Sequence, residues 1–274
     1  MSTRRTRGLC KRALTLVSAV VVSLAAVATL AGPARAATPV LIGFGDSVAA
    51  GYRAGPLAST PYSAACARST VGYPDLVGAT LGYVHDNLAC SGATAAAGLN
   101  GAQTTGLGQV PAQLRQAAGL PRATLATVTI GANDVRWSYW LAVCATSNCA
   151  TTTNTLAFRT LLATINVGIV RALYQMVGPL GIRQVLLTGY YDPLGALAGP
   201  VFGLTSAEIS WYRARLADVN AVLKADAGLF LHVRYAAVRL DAAAGDIQLS
   251  EPGIFHPTLQ GQRKLATQVL AARG

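Results

Sequence analysis

The sequence is poor in charge. Only 12% of its 274 residues are Asp, Glu, Lys or Arg, against 52% hydrophobic, and a chain of that make-up buries a full core instead of staying disordered. Residues 1–36 contain no acid at all. They hold six of the 22 bases, namely Arg4, Arg5, Arg7, Lys11, Arg12 and Arg35, so the formal net charge of +11 falls to 16 bases against 11 acids in the remainder. Nucleic-acid binding loses most of its support there. The chain also lacks G-x-S-x-G, the turn that carries the nucleophile of ordinary α/β hydrolases. It has no P-loop, no G-x-G-x-x-G after a strand and no H-E-x-x-H, so a nucleotide cofactor or a metal has no motif to hold it, and none is expected. Neither an internal repeat nor a long linker is visible. One domain over residues 37–274 suffices.

What residues 1–36 do contain is a basic dozen, an apolar run from Ala13 to Ala31, and Ala34-Arg35-Ala36, with small residues at both positions ahead of a cut. This reads as a secretory signal peptide, which places the mature protein outside the cell. A membrane anchor is the rival reading, because the run approaches the roughly 20 residues that span a bilayer. Its Ala and Val character and its removal after Ala36 weigh against that, so no stable membrane insertion is expected of the mature chain. Arg4-Arg5 could open a twin-arginine signal, but the residues after it fit poorly, and general secretion is the default.

Cys10 leaves with the signal, and four cysteines remain: Cys66, Cys90, Cys144 and Cys149. An even count in an exported protein points to two disulfides. Three pairings are open, but Cys144 and Cys149 close a short loop naturally, which leaves Cys66 with Cys90. A zinc site competes weakly, since C-x₄-C beside two isolated cysteines lacks the usual ligand spacing and no His lies near the short pair.

Short apolar runs at Val40–Phe44, Leu125–Ile130, Val185–Thr188 and Leu229–Val233 read as buried parallel strands, with Tyr83–Ala89 a weaker fifth. Helical spacing appears at Tyr73–Leu81, Val110–Ala118, Thr155–Val177, Ser206–Ala227 and Thr258–Ala272. Thr205 before Glu208 supplies a capping box. The alternation predicts an α/β fold, a three-layer α/β/α sandwich with a central, mainly parallel sheet.

Ligands of such folds sit beyond the carboxyl ends of the strands. The residues just past each strand therefore matter most. Gly43-Phe44-Gly45-Asp46-Ser47 comes after the first, Cys90-Ser91-Gly92-Ala93-Thr94 after the second, Gly131-Ala132-Asn133-Asp134 after the third, and Phe255-His256-Pro257 precedes the last helix. A serine where a strand breaks into a turn can expose its hydroxyl and aim its N–H at the same cavity. It requires a base, and histidine is the usual one. Attack on an ester puts negative charge on the carbonyl oxygen, for which the Gly92 N–H and the Asn133 amide are candidate donors.

Gly45-Asp46-Ser47, Gly92, Gly131-x-Asn133-Asp134 and His256 resemble, in order, the four blocks of the SGNH or GDSL hydrolase family, across essentially the whole mature chain. Cys66-x-Arg68-Ser69-Thr70 and Ala89-Cys90-Ser91-Gly92-Ala93-Thr94 are similar to its secreted, disulfide-bonded lipase and esterase branch. The resemblance implies a flavodoxin-like fold, Ser47 as nucleophile, His256 as base, and an oxyanion hole of the Ser47 N–H, Gly92 and Asn133. It also implies the Cys66–Cys90 pairing. One position departs from the pattern: the acid expected three residues before the histidine is Gly253. Either a main-chain carbonyl at Gly253 or the Glu251 carboxylate must orient His256, and the carbonyl is favoured, giving a Ser–His dyad.

Blander roles compete at each position. Ser47 could merely cap a helix, Gly92 could serve backbone conformation alone, and Asn133-Asp134 could simply turn the chain. For Asp134 the turn is preferred, and Asp46 is expected to hydrogen-bond its loop. His85 and His232 read as structural, and Arg213, Arg215 and Arg234 as solvated surface charge. Trp137, Tyr139 and Trp140 either line an acyl pocket or cap the core. Ala93–Leu107 reads as a loop at the mouth of the site. The resulting expectation is a secreted, monomeric serine esterase or lipase acting on a small-molecule or lipid ester. The rivals are a polysaccharide acetyl esterase and a non-catalytic binding module.

Overall fold

The computed structural model describes residues 38–274, so the expected signal peptide lies outside the described residues. The chain runs through β1 (Val40–Gly45), the one-turn helices α1 (Ser47–Ala50) and α2 (Ser63–Cys66), α3 (Tyr73–Leu81) and β2 (Val84–Asn87). A small hairpin comes next, β3 (Gln103–Thr105) with β4 (Gly108–Val110), then α4 (Gln113–Ala117) and β5 (Leu125–Thr129). The second half holds α5 (Trp137–Thr146), α6 (Thr152–Val177), β6 (Gln184–Thr188), α7 (Ser206–Gly228), β7 (Val233–Ala236) and α8 (Leu259–Ala272).

Five strands form one sheet in the order β2-β1-β5-β6-β7, every pair parallel. All positions of β1 and β5 are buried, which is why their sequences read as apolar runs, interrupted only by the buried Thr127 and Thr129 of β5. Helix α3 packs with α8, and α6 with α7, as the flanking layers. From β1 the chain winds outward to β2, and from β5 it winds the opposite way to β6 and β7. The carboxyl ends of β1 and β5 therefore flank the reversal of strand order, where such sheets leave a crevice.

Local chemistry explains several boundaries. The capping box forms: Thr205 Oγ1 accepts the Glu208 N–H while Glu208 accepts the Thr205 N–H. Both disulfides join the expected partners, Cys66 with Cys90 and Cys144 with Cys149, leaving none of these four thiols for a metal. The last strand is Val233–Ala236 rather than Leu229–Val233. Its register is set by the pairing of Val233 with Val185, and the apolar Leu229-Phe230-Leu231 forms the turn after α7, with Leu231 fully exposed. The helix expected over Val110–Ala118 contracts to α4, because Val110 belongs to the hairpin. Helix α6 starts earlier than expected, with the Thr151 hydroxyl capping it. Arg215 is buried, not solvated: its guanidinium lies over the Phe158 and Trp211 rings and pairs with Asp218. Arg213 and Arg234 are exposed as expected.

Candidate active site

The loop after β1 is pinned from several directions. Gln113 Oε1 accepts the Gly45 N–H and its Nε2 donates to the Gly45 carbonyl, both at 2.8 Å. The Asp46 N–H donates to the Thr129 carbonyl at 2.8 Å, and Asp46 Oδ1 caps α1 by accepting the Val48 N–H at 2.9 Å. Gln262, fully buried, donates to the Val48 carbonyl. Ser47 is thereby fixed as the first residue of α1, and its main-chain N–H takes no acceptor among the described residues.

His256 arrives from the opposite end of the chain. Its Nε2 lies 2.8 Å from Ser47 Oγ. The carbonyl facing Nδ1 is that of Ile254, at 3.0 Å. Gly253, the position expected to supply it, instead accepts the His256 main-chain N–H at 3.1 Å, and Glu251 lines the cavity without bonding the ring. A Cβ at position 253 would overlap the Gln248 side-chain amide, which would have to move aside. Gln248 holds this loop: its N–H donates to the His256 carbonyl, and its carbonyl accepts the Phe255 N–H. Burial pushes the His256 imidazolium below its usual pKa of 6.5, while the Ile254 and Gly253 carbonyls and the Glu251 charge pull it back. At neutral pH the ring is therefore neutral and able to accept a proton.

Gly92 sits at φ +80°, and a Cβ there would meet only Gln103 Nε2 at an ordinary contact distance of 3.4 Å, so the backbone conformation itself calls for glycine. Its N–H takes no acceptor among the described residues. Asn133 Nδ2 donates to the Ala93 carbonyl at 2.9 Å, which leaves its second amide hydrogen for a ligand. Ser47, Gly92, Asn133 and His256 all line one cavity. Asp134 does not merely turn its own loop: its carboxylate accepts the N–H of Ala95, on the loop after Gly92, and burial raises its pKa to about 6. Residues 93–107 line none of this cavity, which corrects their expected place at its mouth. His85 and His232 lie outside it.

The cavity holds about 700 Å³. Beyond the polar cluster its wall is apolar, with Trp137, Leu141, Leu194, Phe202, Leu204 and Leu216 among its residues. The aromatic cluster divides. Trp137 faces the cavity, its indole N–H donating to the Tyr212 hydroxyl, whereas Trp140 is buried against Phe158 and Trp211. Tyr139 is exposed under Arg136.

Two site residues escaped the sequence reading. Tyr190 donates to Asp46 Oδ2 and accepts the Ala132 N–H, and Tyr191 donates to the Phe255 carbonyl at 3.0 Å. Both come just after β6, so the question asked of the other strand ends would have found them. Burial lifts the Asp46 carboxyl to about 7, against the pull of its bonds from Tyr190 and Val48.

The chain resembles solved structures over most of its length. A phospholipase A1 from Streptomyces albidoflavus NA297 is 22% identical, with 87% of this chain and 100% of that chain covered at a TM-score of 0.66. An extracellular lipase from Streptomyces rimosus is 24% identical, covering 85% and 99% at 0.61. An acetyl-xylooligosaccharide esterase from Geobacillus is 17% identical, covering 86% and 94% at 0.51. At such identities these likenesses establish the fold. No curated protein sequence matches. The GDSL-like lipase/acylhydrolase family matches residues 44–264. The chain belongs to this family and is a carboxylic ester hydrolase.

Proposed function

We propose that the protein is an exported serine esterase or lipase, with residues 37–274 as its catalytic domain, that cleaves acyl esters through an acyl-enzyme on Ser47. The observation that carries this reading is the 2.8 Å contact between Ser47 Oγ and His256 Nε2 at the edge of a cavity with an apolar wall. The Ile254 carbonyl keeps the proton on Nδ1, so Nε2 presents its lone pair to the serine hydroxyl. His256 takes that proton as Ser47 attacks, and the charge on the carbonyl oxygen is met by the Ser47 N–H, the Gly92 N–H and Asn133 Nδ2. Collapse returns the proton to the leaving alcohol. Water, deprotonated by the same ring, then releases the acid.

Two disulfides, the character of residues 1–36 and the extracellular lipase among the similar structures support export. The apolar wall favours an acyl chain over acetate. Deacetylation of a polysaccharide remains the second reading, on the likeness to the acetyl-xylooligosaccharide esterase. A panel of p-nitrophenyl esters from acetyl to long chains, run on the mature protein, decides between them. Rates that rise with chain length support the lipase reading, and a steep preference for acetyl overturns it. Ser47→Ala is expected to fold and to lose about 10³-fold or more in kcat. Near-normal turnover in that variant, or failure of the wild type to label with a fluorophosphonate, refutes the serine mechanism.

A further inference from the structure

Strand β6 ends at Thr188, and Gly189-Tyr190-Tyr191 leads from it into the site. The main chain of Tyr190 is held on both sides by one side chain of α7. Its N–H donates to Asn220 Oδ1 at 2.7 Å, and Asn220 Nδ2 donates back to the Tyr190 carbonyl at 2.9 Å. From that anchored position the phenol oxygen makes two bonds. It donates to Asp46 Oδ2 and accepts the Ala132 N–H at 3.0 Å.

Asp46 directly precedes Ser47, and Ala132 directly precedes Asn133. A single hydroxyl thus ties the loop that carries the serine to the loop that carries the Asn133 amide. Both loops also need separate support, because Gly45 and Gly131 give each of them a left-handed backbone at its root. Asp46 Oδ1 is already committed to the Val48 N–H, so the Tyr190 bond occupies the other oxygen of a fully buried carboxyl.

We propose that Tyr190 is a positioning residue of the ester-cleaving site, its hydroxyl setting the spacing between Ser47 and Asn133 so that nucleophile and oxyanion donor converge on one carbonyl. The inference rests on the serine hydrolase reading given above. Its effect belongs to the transition state, because a carbonyl oxygen tolerates a displaced donor and an oxyanion does not.

Tyr190→Phe tests it, since phenylalanine keeps the ring that lines the cavity and deletes the two bonds. Displacement of a reacting group by about 1 Å costs roughly 100-fold, so kcat per fluorophosphonate-titrated site is expected to fall about 10- to 100-fold with KM within about twofold. The inhibition constant of an alkylboronic acid, whose serine adduct is tetrahedral, is expected to rise in parallel. A merely structural hydroxyl would lower the melting temperature and the number of titratable sites and leave both quantities unchanged. Unchanged kcat per titrated site overturns the proposal, and so does a change confined to KM, which would make Tyr190 only part of the wall. Should Tyr190→Phe fail to fold, Asp46→Ala removes the carboxyl end of the same bridge together with the α1 cap, and the same criteria apply to kcat per titrated site. A wild type that neither cleaves esters nor labels with the fluorophosphonate sinks the hydrolase reading itself. A wild type that does both, matched by Tyr190→Phe, sinks only the positioning role.

Discussion

Two parts of the cavity lining are built by different means. Around Ser47, polar side chains hold the main chain: the buried Gln113 grips Gly45, the buried Gln262 grips Val48, and the half-buried Asn133 reaches across to Ala93. Elsewhere in the lining, Leu141, Leu194, Phe202 and Leu204 offer apolar surface. Directed bonds fix positions to a fraction of an ångström, whereas apolar packing accepts exchange of side chains of similar volume. The contrast separates reaction from selectivity. One part can stay constant while the other is refitted to a different acyl group.

The largest test of that contrast is Gln113→Leu. It strands the buried Gly45 N–H and removes one of two donors to the Gly45 carbonyl. A loss of about 2–3 kcal/mol in unfolding free energy is expected by denaturant titration, and a loss under about 0.5 kcal/mol would show that the pinning is incidental. Next comes Leu141→Trp, which fills part of the apolar wall. It is expected to cut kcat/KM for a long-chain ester about tenfold while an acetyl ester changes less than about twofold. Equal losses on both substrates would break the division. The smallest effect is that of Glu251→Gln, less than about threefold in kcat, because Nδ1 already faces the Ile254 carbonyl. Removing that anion also takes away a charge that favours the imidazolium, so the acid limb of kcat/KM should stay put or move to lower pH. In the wild type the limb is expected below pH 6.5, where His256 protonates. A limb near 7 would assign it to Asp46.

Much of the fold was legible because β1, β5 and β6 sit inside a parallel sheet and carry runs such as Val40–Gly45 with scarcely a polar interruption. The edge strand β7 alternates, Val233-Arg234-Tyr235-Ala236, and its signal lost to the more apolar Leu229-Phe230-Leu231 beside it. Helix α5 was missed because it faces the core on one side and the cavity on the other. Trp137–Thr146 therefore lacks the polar stripe that marks a surface helix. Arg215 misled for a related reason, since its stem and guanidinium lie against aromatic rings within the helix layer. Ser47, Gly92, Asn133 and His256 could be singled out because each lies where the chain changes direction. Tyr190 could not be weighed from its type alone, because a buried tyrosine is ordinary until its two bonds are seen.

The Ile254 carbonyl leaves one consequence for how this enzyme can vary. A peptide oxygen belongs to no side chain, so no codon change deletes it, and position 254 should tolerate many residues in a saturation screen. Intolerance should appear instead at Gln248, whose side-chain amide donates to the Tyr52 and Pro257 carbonyls, and at Gly253, where a Cβ would press on that amide. Replacing the 254–255 amide with an ester would keep the oxygen as a poorer acceptor and would also delete the Phe255 N–H that ties the loop to the Gln248 carbonyl, a paired perturbation that ordinary mutagenesis cannot reach.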